Sequence, residues 1–152
     1  MSYTTADGRR QIMEALAGAV DRLSKALGEL EGAYELLDER TADELEEQLF
    51  RPVQLAYGRA QRTYSEFARR HELDVRSFEA ASPGAPARGA KGLIESAVLD
   101  AAEADRELGE LQDSMLPIEV GDAELRAGLE QVREQITGLG GRSRNLLRTL
   151  GR

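Results

Sequence analysis

The sequence predicts an all-α fold: an antiparallel, up-down-up-down four-helix bundle built as a single domain over residues 1–152. Two observations predict it. Apolar residues recur at alternating steps of three and four in four separate stretches, which is the spacing of one side of an α-helix. With 152 residues, 41% of them apolar and 32% charged, the chain has enough apolar surface for one core and too little for two. No Trp, three Phe and four Tyr make that core mostly aliphatic.

The first helix carries Met13, Leu16, Val20, Leu23, Leu27, Leu30, Tyr34 and Leu37 in one register, a 3.5-residue repeat. Ile12, Ala19, Ala26 and Ala33 form a second row beside it, so the apolar face is wide enough for more than one neighbour. Gly18, Gly28 and Gly32 each cost about 1 kcal/mol relative to Ala within a helix, and so point to a helix held by tertiary contacts.

Thr41-Ala42-Asp43-Glu44 reads as a capping box that starts the second helix at Ala42. Leu45, Leu49, Val53, Ala56, Ala60, Tyr64, Phe67 and His71 form its apolar row. Pro52 lies inside that row and has no N–H for the Gln48 carbonyl, which predicts a kink or split there. Residues 80–92, with two Pro and three Gly, have no periodic face and read as a long loop. Thirteen extended residues span about 44 Å, so the alternative to a turn is a lengthwise crossover of the kind found in ferritin-like folds.

The third helix bears Ile94, Ala97, Ala101, Ala104, Leu108, Leu111 and Met115 and stops before Pro117. Its small Ala row is expected to face the large residues of the second helix. Val120-Gly121-Asp122 opens a fourth helix bearing Leu125, Leu129, Val132, Ile136, Leu139, Ser143, Leu146 and Leu150. A bend is expected at Gly138, Gly140 and Gly141.

The composition excludes several chemistries. Without Cys there are no disulfides, thiolate zinc sites or cysteine nucleophiles, and with one His there is no two-histidine metal site. A ferritin-type di-metal centre needs Glu-x-x-His pairs, yet the residue three before His71 is Ala68. No metal, cofactor or catalytic residue is therefore assigned. The chain has no nucleophile elbow, phosphate loop or dinucleotide fingerprint. His71 beside Glu72 is either a general base or, as preferred, the end of the stripe Phe50, Tyr57, Tyr64, His71. A membrane span and a signal peptide are not expected, and the expected location is the cytoplasm.

Charge is unevenly placed. Residues 29–47 hold nine acids and one base, residues 103–124 eight acids and one base, while Arg142, Arg144, Arg148 and Arg152 make the C-terminal segment basic. In an up-down-up-down bundle the two acidic sets fall at one end and the net-basic segments 1–10, 69–91 and 142–152 at the other; a crossover would largely cancel this polarity. The expected function is thus a non-enzymatic interaction or scaffold protein that self-associates or docks a protein partner. Phe50, Tyr57 and Tyr64 are the candidate interface if exposed. The alternative is anion binding, to nucleic acid or an acidic membrane, with Arg142, Arg144 and Arg148 as the contacts. A ferritin-like bundle without a metal site ranks third.

Overall fold

A computed structural model describes residues 2–150, with side chains from residue 5 onward; Arg152 lies outside the described residues. It is all-helical, with no strand among the described residues. No described helix is long and apolar enough to cross a membrane.

Helix α1 (Ser2–Glu35) buries the Ile12, Ala19, Ala26, Ala33 row completely, with Leu16, Val20, Leu23 and Leu30 alongside. Met13 and Leu27 are only half-buried, and Tyr34 is 39% exposed. The buried face is therefore centred nearer the Ala row than the Leu row, because α1 is sandwiched between two helices.

Helix α2 (Glu39–Leu45) starts three residues earlier than the capping-box reading places it. Its N-cap is Asp38, whose carboxylate accepts the Thr41 N–H at 2.8 Å. A carboxylate at this position both accepts an orphan N–H and sits at the positive end of the helix dipole, so Asp38 outcompetes the Thr41 hydroxyl. A π-helical turn, Glu46–Phe50, follows and runs directly into α3 (Arg51–Arg70) with right-handed helical angles at Leu45, Phe50 and Arg51. The disturbance expected at Pro52 takes this form: the ladder widens, Arg51 N–H bonding back to the Glu46 carbonyl, and the helix continues. The Gln48 carbonyl, which Pro52 cannot serve, is reached by the Arg142 guanidinium at 3.5 Å.

Helix α3 ends in a Schellman motif with Glu72, not Gly, in the left-handed region at φ 54°. Leu73 N–H bonds the Ala68 carbonyl (2.8 Å) and Glu72 N–H the Arg69 carbonyl (3.3 Å). The connection that follows occupies residues 71–88, ending in a short 3₁₀ turn (Pro86–Arg88); it begins nine residues before the expected loop at 80–92.

Helix α4 (Gly89–Asp113) comes next, then α5 (Leu116–Val120), with Pro117 in its first turn. Helix α6 (Ala123–Ile136) is capped by Asp122, and α7 (Leu139–Leu150) follows a break at Gly138, φ 87°, where a bend is expected. The apolar rows of the sequence are buried throughout α3, α4 and α6, apart from Met115, which is 56% exposed just beyond α4.

Side-chain pairs give the helix directions. Arg22 of α1 meets Asp100 and Glu107 of α4, whereas Glu29, further along α1, meets Ser96 and Arg88. Helices α1 and α4 are therefore antiparallel. Tyr34 borders Phe50 while Met13 shares a groove with Tyr64, so α3 also opposes α1. Asp122 pairs with Arg70, and Gly128 abuts Thr63, so α6 opposes α3. Helices α3 and α4 thus run in the same direction, and the chain order is up-down-down-up. This corrects the up-down-up-down expectation: residues 71–88 are the lengthwise crossover.

The physical reason lies in α1. Asp21 pairs with Arg76, the Ser24 hydroxyl donates to the Glu79 carbonyl (3.3 Å) and accepts the Ala81 N–H (3.1 Å), and the Gly28 carbonyl accepts the Gly84 N–H (2.8 Å). A Cβ on Gly28 would lie 2.5 Å from the Ser82 oxygen, and one on Gly32 2.6 Å from the Gly84 oxygen. Two of the three glycines that weaken α1 as an isolated helix, Gly28 and Gly32, thus cut the track in which the crossover lies.

Two further expectations change with the topology. Helix α4 packs on α1 and α6 rather than α3, so its Ala97, Ala101 and Ala104 belong to the close α1–α4 contact, where α1 also carries an Ala row. The charge polarity cancels as well. Acidic α2 packs against the end that carries the α7 arginines, and the acidic 103–124 segment lies at the end that carries Arg70.

Candidate functional site

Tyr64 is buried. Its hydroxyl accepts the Arg76 N–H at 3.1 Å, and its ring meets Phe78 edge-on at 5.0 Å, with the Arg76 guanidinium 4.4 Å over Phe78. It anchors the crossover and forms part of the wall of the groove it shares with Met13. Tyr57 is half-buried against the core. Phe50 is also half-buried, yet it lines an open groove of about 320 Å³ with Tyr34 between α1 and the π turn. Glu31, Glu35 and Glu46 rim that groove. Two aromatic rings walled by carboxylates suit an apolar side chain flanked by cations. Beside it, α2 and the residues flanking it present Asp38, Glu39, Asp43, Glu44 and Glu47 to solvent.

Arg142, Arg144 and Arg148 are exposed on α7, but they divide in role. Arg142 reaches the Gln48 carbonyl. Arg144 and Arg148 line a second groove with Lys91 of α4, Arg148 being held by Asn145; Glu95 is the one acid in its wall. Lys91 is the member that sequence order conceals, because it comes from a different helix.

His71 is not paired with a nucleophile. Its Nε2 lies 2.8 Å from Asp122 Oδ2, and its ring packs on Phe67 at 4.4 Å between centroids. Asp122 is buried, caps α6 through the Leu125 N–H (2.8 Å) and pairs with Arg70 (2.8 Å). Burial opposes its ionisation, but the Leu125 N–H, His71 and Arg70 outweigh it and hold its carboxyl below the usual value. The cluster fastens the end of α3 to the start of α6.

A second polar cluster lies between α1 and α4. Glu29 and Asp100 are both buried and face each other across the α1–α4 contact: Ser96, one turn before Asp100, bonds Glu29, and Lys25, one turn before Glu29, pairs with Asp100. Glu29 Oε2 accepts from Ser96 and from Arg88 (3.1 Å), while Arg22 and Lys25 each stand 3.7 Å from Asp100. Burial first, then the hydrogen bond and charge of Glu29, push Asp100 up to about 6; Lys25 and Arg22 offset part of this. The heptad rows do not include this pair, although Glu29 falls three residues after Ala26 and Asp100 three after Ala97, on the buried faces of their helices.

Among the described residues, no group of three or more His, Asp or Glu side chains is placed to hold a metal ion. No protein-family model matches the chain, and no curated protein or solved structure matches it either.

Proposed function

We propose that this chain is a non-enzymatic interaction module, a four-helix bundle of up-down-down-up connectivity that self-associates through the end formed by the α1 C-terminus, α2 and α7. The observation that carries this reading is the self-complementarity of that end. The Tyr34–Phe50 groove with its acid rim and the acidic face of α2 lie at the same end as the exposed Arg144, Arg148 and Lys91. A two-fold dimer requires one patch to serve as both donor and acceptor of the contact, so surfaces of opposite sign at one end meet that requirement. Exposed Tyr34 and Leu36 add apolar area that a charged rim alone would lack.

Light scattering coupled to size exclusion tests this. The expected result is a dimer at low salt that dissociates as salt rises; a monomer at both extremes overturns it.

A second reading, anion binding, is favoured by the convergence of Lys91, Arg144 and Arg148 on one groove from two helices. A single-stranded RNA oligomer and anionic vesicles are the probes. Binding that falls steeply with salt supports this reading, and no binding at low salt removes it.

A further inference from the structure

We propose that Glu29 and Asp100 share one proton and act as a pH-sensitive latch that holds the end of the crossover, residues 82–88, against α1. Glu29 Oε1 and Asp100 Oδ2 are buried and receive no hydrogen bond from any other group. Two ionised carboxylates facing each other have no donor between them, and the Lys25 ammonium, 3.7 Å from Asp100 Oδ2, stands too far to hydrogen-bond the oxygen it faces. A single proton placed between them serves both oxygens and removes one buried charge.

The surroundings decide which group carries it. From α1, Arg22 and Lys25 approach Asp100, and Arg22 also holds Glu107 of α4 at 3.2 Å. From α4, Ser96 donates to Glu29; from the 3₁₀ turn, Arg88 does the same. The crossover adds Glu79, whose carboxyl is exposed, and Arg76, which is spent on Asp21. Burial works against ionised Glu29, but hydrogen bonds from Asp100, Ser96 and Arg88 outweigh it and hold its carboxyl below the ordinary range. Asp100, raised to about 6, is therefore the protonated partner.

The latch follows from the connectivity. Arg88 links Glu29 to the last turn of the crossover, and Gly84 is tied to the Gly28 carbonyl one residue before Glu29. A carboxyl raised on folding stabilises the fold fully below its unfolded value near 3.8, and the contribution disappears as pH rises through about 6. Above that pH, ionised Asp100 turns toward the more exposed Arg22 and Lys25, repels Glu29, and loosens Arg88 and the segment behind it.

Carboxyl-carbon NMR of the full chain and amide exchange at Gly84 test this. Asp100 should titrate near 6, and Glu29→Gln should lower that midpoint. Protection of the Gly84 amide, corrected for intrinsic exchange, should fall on the order of tenfold between about pH 5 and pH 7.5. In Asp100→Asn, whose amide donates at every pH, protection should stay constant. An Asp100 midpoint at or below 3.8, a midpoint unmoved by Glu29→Gln, or the same Gly84 pH dependence in wild type and Asp100→Asn overturns the proposal. If Asp100→Asn does not fold, the two carboxyl titrations decide.

Discussion

Glycine has opposite effects at positions that look alike in the sequence. Gly58 lies on the open side of α3, where a methyl group would have nothing within 4 Å, so Gly58→Ala should stabilise the protein by about 1 kcal/mol through helix propensity alone. Gly32 sits under the crossover, where a methyl would meet Gly84 backbone atoms at 2.6 and 2.7 Å. Gly32→Ala should cost about 2 kcal/mol net, because backbone cannot yield as a side chain can. Urea melts of the two variants check both signs. Glu72 is the third case. Its left-handed backbone penalises any side chain by about 1–2 kcal/mol, so Glu72→Gly should raise stability by about 1 kcal/mol once glycine's greater unfolded freedom is deducted. A Glu at this position also explains why no glycine marks the end of α3, which shows in the sequence only as the apolar row running out at His71, the C-cap, while the stretch beyond it goes unannounced until the later prolines.

Between elements, Asp122 does two things with one carboxylate. It caps α6, pairs with Arg70 and hydrogen-bonds His71 at the end of α3, so Asp122→Ala removes a cap and leaves part-buried Arg70 with only the exposed Glu124 as a partner. The expected loss is about 3 kcal/mol. Asp122→Asn keeps an acceptor for the Leu125 N–H and should cost less. Its pH dependence is the sharper test. A carboxyl lowered by folding contributes stability above its unfolded value near 3.8 and loses it as pH falls through the folded value. Acid titration of stability should therefore be shallower below about pH 4 in Asp122→Asn than in wild type; identical acid limbs refute this role. The helices themselves are legible because burial enforces their period: seven of the eight positions from Leu45 to His71 are buried as their spacing demands. The cap at Asp38 and the π turn before Pro52 are not, since each depends on which of two nearby groups wins a backbone hydrogen bond.

At the scale of the molecule, direction is the illegible part. An amphipathic row states which side of a helix is buried and is silent on whether the helix points up or down. That information sits in the connection, and here in the Ser24, Gly28, Gly32 track that receives it. Reversing the last two long helices moves the α7 arginines to the end that carries acidic α2, so the proposed self-association joins two like ends and not the opposite poles of a dipolar rod. Arg144→Glu combined with Arg148→Glu removes the cations of one patch and should weaken self-association by at least about tenfold, with α7 still packed through Leu139, Ser143 and Leu146. Asp43→Lys combined with Glu44→Lys, on the exposed face of α2, should weaken it likewise. Each variant alone is then like-charged across its own interface, but an equimolar mixture of the two restores opposite signs at both contacts of a heterodimer. Light scattering on the separate variants and on the mixture reads the outcome. Recovery of dimer only in the mixture identifies these two surfaces as mutual partners, and variants that dimerise as well as wild type place the contact elsewhere.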